Sequence, residues 1–212
     1  MDMIKQIIAY IAQDPEKYRQ CIIQHLALDA VAFAIAVAIA VPLGYACAKK
    51  AKLAVGILLV VNIIMVVPSL AIFALLRPVL GFGTPTALVA LLSVALPHMV
   101  INTMAAIRGV DPYVLENAKG MGMEPWRVCL TVELPLALPA ILNGARITAV
   151  SLIAGTTIAA YVNAGGLGTY IVLGLGTNRM DIMYVGAITV AAIAVAVDRV
   201  LAYFQRKQLK KL

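Results

Sequence analysis

Long runs without a charged side chain constrain this chain most. They cover residues 30–48, 53–76, 78–107 and 147–178, with a shorter run at 182–197. Crossing the hydrocarbon of a bilayer takes about 20 apolar residues in a helix, and several of these runs reach that length. Backbone polar groups in lipid must be satisfied within the protein, so such runs fold as helices or as strands of a closed barrel. A barrel needs period-two alternation of apolar and polar residues, which is absent. The expected fold class is therefore all-α, a polytopic membrane protein with about five transmembrane helices. Composition agrees, since only 13% of the residues are charged against about a quarter in soluble domains.

The formal net charge is +7. In a soluble protein that excess would raise nucleic acid as a partner. Here the basic residues cluster at the ends of apolar runs, where membrane topology places them, and the partner implied is the lipid bilayer. Residues 1–25 read as an interfacial leader. Ile4, Ile7, Ile8 and Ile11 give one apolar face at helical spacing, and the stretch is too charged to span or to act as a signal peptide. Residues 26–203 form the membrane domain, with spans expected over 26–48, 53–76, 85–107, 137–160 and 182–203. Residues 204–212 are a basic tail. Lys49, Lys50 and Lys52 follow the first span, Arg108 the third, and the tail the fifth. The positive-inside rule then places the N-terminus outside and the C-terminus in the cytoplasm, with Lys17 and Arg19 as the exception. Pro68 is expected to kink the second span. Residues 77–85 read as an outer turn. The glycine-rich stretch 161–181 reads as an outer loop with a partly re-entrant or broken segment.

One stretch fits neither span nor tail. Residues 111–135 (DPYVLENAKGMGMEPWRVCLTVELP) carry Asp111, Glu116, Lys119, Glu124, Arg127 and Glu133 between two apolar blocks. Asp111-Pro112 is a helix start, Gly120 and Gly122 stop that helix, Glu124-Pro125 starts another, and Leu134-Pro135 is expected to end it. A two-helix hairpin this small has no core of its own, so it is expected to dock on something. Glu116, Ala118, Gly122, Val132, Leu134 and Pro135 fit E-A-A-x3-G-x9-I-x-L-P, with Asn117 and Val132 as departures. The stretch thus resembles the cytoplasmic coupling loop of type I ABC importer permeases. AGGLG at 164–168, followed by Gly-Leu-Gly, resembles the betaine and choline permeases of the osmoprotectant group.

The resemblance covers about residues 20–203. It implies a non-catalytic subunit without a cofactor, carrying glycine betaine, choline or carnitine. It also implies a second permease copy or paralogue, a cytoplasmic ABC ATPase dimer and an extracytoplasmic substrate-binding protein. Coupling to the ATPase would fall to Glu116, Ala118, Gly122, Trp126, Leu134 and Pro135. Trp126 would either pack the hairpin together or anchor in the headgroups. Arg146 lies two turns into the fourth span, where a charge must snorkel or pair inside the bundle.

The residues alone support part of this reading. The chain has no G-x-x-x-x-G-K-[ST] nucleotide loop, and its spans offer few acids for an ion relay, so energy for pumping must enter through a partner. Gly166-Leu167-Gly168 lacks the context of a dinucleotide loop. Cys21, Cys47 and Cys129 lie far apart without a CxxC spacing, and His25 and His98 have no ligand partners at metal-site spacing, so no metal site is expected. Aromatic residues are scarce and do not cluster within the spans, so an aromatic cage for a quaternary amine is expected in the binding protein. Asn102, Thr156, Thr157 and Asn163 are the polar candidates for the translocation path, while Asn62 suits an interhelical hydrogen bond or a pore role. Two other classes compete. A stand-alone secondary transporter would need matched broken helices in its two halves. An intramembrane enzyme would need a nucleophile context that Ser151 lacks.

Overall fold

The computed structural model describes residues 2–210. All regular structure among them is helical: α1 (Asp2–Gln13), α2 (Pro15–Lys49), α3 (Ala51–Val66), α4 (Ser69–Leu80), α5 (Thr84–Arg108), α6 (Pro112–Gly120), α7 (Pro125–Val128), α8 (Leu134–Thr156), α9 (Gly168–Gly176) and α10 (Met180–Leu209). A π-turn at Cys129–Glu133 joins α7 to α8, and a 3-10 turn at Ile158–Val162 follows α8. Four segments are long and apolar enough to cross a membrane: α2, α5, α7 through α8, and α10. The α3–α4 pair makes a fifth if it is counted as one span.

Helix α5 is the centre of the bundle, packed between α2 and α8, and α10 closes the far side of α8. Small residues let these helices meet. Ala32, Ala36 and Ala40 recur at helical spacing along α2 and are fully buried, as are Ala87 and Ala95 on α5. In lipid there is no hydrophobic drive between helices, so close packing of small residues carries the association. Helices α5 and α8 meet closely at Gly144, where a Cβ would stand 2.4 Å from Cβ of Asn102.

Three features differ from the sequence expectation. Residues 15–25 are not part of a separate leader, because α2 runs unbroken from Pro15. Asp14 caps it by accepting from the Lys17 amide at 3.0 Å, and the helix runs on past Pro42 to Lys49. Only α1 stands apart, with Ile7, Tyr10 and Ile11 packed on the bundle and Ile4 and Ile8 exposed. Secondly, Pro68 breaks its span rather than kinking it, and α3 and α4 meet at 95°. Proline disfavours the helical region for the residue before it, and Val67 is extended at φ −74°, ψ 125°. With 16 residues, α3 is about 24 Å long, short of the roughly 30 Å of hydrocarbon. Thirdly, Leu134-Pro135 ends nothing. The chain passes from α7 through the π-turn into α8 without a break, and a proline within a membrane helix is tolerated where a local π adjustment takes up the backbone groups it frees. The glycine-rich stretch contains the short helix α9, which folds back on α10.

Candidate functional site

The elbow at residues 111–135 is built by local rules. Asp111 accepts from the Tyr113 amide at 2.9 Å and starts α6. The helix closes with Met121 N–H to the Asn117 carbonyl and Gly122 N–H to that of Lys119. Gly122 sits at φ +80° with open space where a Cβ would go, so the turn asks for glycine on backbone grounds alone. Ala118 is buried on the inner face of α6, and Leu115 packs on the α2–α5–α8 core. The outer face shows Glu116, with Tyr113, Met121 and Trp126 exposed at 75%, 77% and 61%. That is an apolar, aromatic surface with no cover from its own chain. Trp126 does not pack the hairpin together, since its indole N–H donates to the Glu124 carboxylate at the surface. Leu134 and Pro135 line an apolar groove of about 510 Å³ between α2 and α8.

Glu133, the last residue of the π-turn, is 2% exposed. Its carboxylate pairs with Lys49 at the end of α2 and accepts from the Tyr45 hydroxyl at 3.2 Å. Arg108, at the end of α5, donates to the Cys47 carbonyl at 3.1 Å. The ends of α2, α5 and α8 nearest the elbow are thus tied by polar contacts. Glu133 was visible in the sequence only as one charge among six, and nothing local marked it as inward-facing.

Arg146 pairs inside the bundle rather than snorkelling alone. It donates to Asp198 at 2.8 and 3.1 Å and to Gln205 at 2.7 Å, both on α10.

The four polar path candidates do not meet in one cavity. Asn102 donates to the His98 carbonyl and lines a cavity of about 330 Å³ with Asn143. Thr156 lies 12 residues beyond Gly144, the α8 partner of Asn102, or about 18 Å along the helix. Its hydroxyl is fully buried and donates to Asp29. Thr157 bonds the Ala154 carbonyl, and Asn163 is exposed in a left-handed turn at φ 58°. Asn62 is on α3.

A buried polar cluster lies where α2 meets α8. Asp29 and His25 are one turn apart on α2, with 3.6 Å between Oδ2 and Nε2. His25 is fully buried and its Nε2 lies 3.1 Å from the Ile153 carbonyl. An acid four residues after a histidine at the mouth of a span was the available signal. At the same end, Tyr10, Tyr18 and Tyr170 gather, with ring centres 6.1 and 6.2 Å apart. Aromatic rings therefore do cluster, but between α1, α2 and α9. Arg179 already occupies the face of Tyr10 at 5.6 Å, the place a ligand cation would take. No group of three or more metal-ligating side chains occurs among the described residues.

Comparison with known proteins agrees with this architecture. Residues 40–210 match the family described as binding-protein-dependent transport system inner membrane component. The carnitine transport permease protein OpuCB of Listeria monocytogenes is 41% identical over 175 residues, covering 82% of this chain and 80% of that one. The glycine betaine/carnitine/choline transport system permease protein OpuCB of Bacillus subtilis (strain 168) is 38% identical over 188 residues, covering 89% and 87%. Among solved structures, an inward-facing form of the MetNI methionine ABC transporter superposes with a TM-score of 0.79 at 22% identity, covering 89% of this chain and 94% of that one. An amino acid ABC transporter with histidines also gives 0.79, at 17% identity over 95% and 98%. The chain belongs to the binding-protein-dependent transport permeases and has their type I importer fold. It is a multi-pass membrane subunit, and hydrolysis of ATP in such transporters is the work of a separate ATPase.

Proposed function

We propose that this permease carries small quaternary amines of the glycine betaine, choline and carnitine class across the cytoplasmic membrane, driven by an ATPase that seats on the elbow. The observation that carries the docking part is the shape of the elbow itself. Its outer face presents Tyr113, Glu116, Met121 and Trp126 uncovered, while its second arm continues into α8 without a hinge. Shifting a gate from 1:99 to 99:1 takes about 5.5 kcal/mol of differential binding. A stiff arm continuous with a span can deliver that from ATPase closure, and a loose loop cannot. The elbow then lies in the cytoplasm, with the N-terminus outside. The substrate class follows the names of the relatives at 38–41% identity.

In this reading Glu116, Gly122 and Trp126 form the docking turn, Ala118 holds it to the bundle, and Leu134-Pro135 passes its motion to α8. The partners are an ATPase dimer, a second permease copy or paralogue, and an extracytoplasmic binding protein. The translocation path runs past Asn102, with Thr157 and Asn163 toward the outer end, while Thr156 is held inside the bundle by Asp29. The test is uptake of labelled choline, carnitine and glycine betaine into proteoliposomes. These would hold the permease, its ATPase and its binding protein. ATP-dependent accumulation of at least one of the three is expected. Accumulation by the permease alone, driven by an ion gradient, would instead identify a secondary transporter.

A further inference from the structure

We propose that Glu133 is a positioning residue of the transport cycle: its clamp on Lys49 and Tyr45 makes the elbow move as one body with α2 as well as with α8. The proposal rests on the permease reading above and assigns a further residue to its coupling step.

The π-turn is what places Glu133. Val128 and Glu133 are both buried and lie five residues apart, the spacing that one turn of π-helix sets on a single face. Beyond the turn the buried seam of α8 continues at ordinary helical spacing through Ala137, Ile141, Ala145, Thr148 and Leu152. Glu133 heads that seam, where an apolar side chain would serve packing better. Its side chain is 3% exposed, against 41% for Lys49. A buried ion pair is a weak source of stability, because desolvation offsets most of the attraction, and an apolar replacement of like size is often neutral or better. What such a pair fixes is register. This one has two directional partners on a single helix, the Lys49 ammonium and the Tyr45 hydroxyl, and the ammonium also lies 5.4 Å from the Tyr45 ring centre. Arg108 extends the tie from α2 to α5 through the Cys47 carbonyl. A push on the elbow therefore reaches α2 directly through Glu133, and α5 through α2, without relying on contacts higher in the bundle. Without the clamp, α8 would tilt while the end of α2 lagged, and hydrolysis would proceed with less solute moved.

The experiment measures solute imported per ATP hydrolysed by the reconstituted permease, ATPase and binding protein. Glu133→Gln, which keeps the size and removes the charge, is expected to lower that ratio by at least about five-fold, the low end of a coupling free energy between sites. Hydrolysis without binding protein should stay within about two-fold, the range of uncoupled positions. The double change Lys49→Glu with Glu133→Lys restores the attraction and is expected to recover most of the ratio. An unchanged ratio in Glu133→Gln overturns the proposal. So does a lowered ratio that the exchanged pair leaves low, since the carboxylate would then act on something other than Lys49. Should Glu133→Gln fail to assemble, Lys49→Gln alters the half-exposed end of the same pair and is read by the same ratio. Failure of the permease reading itself is separate and appears earlier, as no ATP-dependent uptake by the unaltered complex.

Discussion

Asp29 and Thr156 meet inside the bundle although 127 positions separate them. A buried acceptor left without its donor costs about 1–3 kcal/mol. Thr156→Val, nearly the same in shape, is therefore expected to destabilise the chain by that amount in thermal unfolding of the detergent-solubilised permease. Asp29→Asn keeps an oxygen for the hydroxyl and should cost less. No local spacing announces such a pair, which is why Thr156 reads as a path residue from sequence and as a structural partner of Asp29 in the fold. Gly122 is the opposite case. Its role follows from the chain around it, an Asp-Pro start and a glycine where the short helix must stop. Its φ of +80° with open space beyond means a side chain is refused by the backbone, not by neighbours. Gly122→Ala should raise the energy of the turn by about 1–2 kcal/mol. Gly122→Asn should be milder, because asparagine tolerates that region. Loss of ATPase pull-down by the alanine variant, with asparagine between it and glycine, is the expected order.

The elements divide in the same way. The first helix of the elbow and the start of the second are legible because capping and stopping are local chemistry, whereas the stop expected at Leu134-Pro135 is absent. The π-turn is not legible, since it differs from an α-helix by one extra residue and no residue type demands it. Deleting Leu130, which is exposed, should turn the π-turn into ordinary helix that still holds Val128 and Glu133 on one face, now four residues apart, and shorten the arm by about 1.5 Å. The variant is expected to insert, fold and keep ATP-driven uptake, which proteoliposome transport beside a thermal-stability assay would show. Pro68 was legible as a disturbance but not as a 95° break, because the angle depends on where α4 finds packing, and Phe73 is buried in the core on that side. The tie between α8 and α10 supplies another test. An arginine deprived of its partner within a membrane span is costly. Asp198→Ala should therefore destabilise the chain markedly in thermal unfolding, and Arg146→Leu combined with Asp198→Leu should recover most of the loss.

At the scale of the molecule, the expected orientation puts the α1 end outside and the elbow inside. With Cys21, Cys47 and Cys129 replaced by serine, Lys17→Cys should react with a membrane-impermeant thiol reagent added to intact spheroplasts. Glu124→Cys should react only after the membrane is opened, and the reverse pattern would invert the topology. Helix α2 links the two sides. It has 35 residues without a break, Pro42 included, which makes it about 52 Å long, well beyond the hydrocarbon. A rod of that length that pivots at one tip by 10° swings its other tip through roughly 9 Å. Anything that perches on the outer tip is thereby mechanically in touch with whatever grips the inner one, and a small rocking on one side of the bilayer arrives magnified on the other.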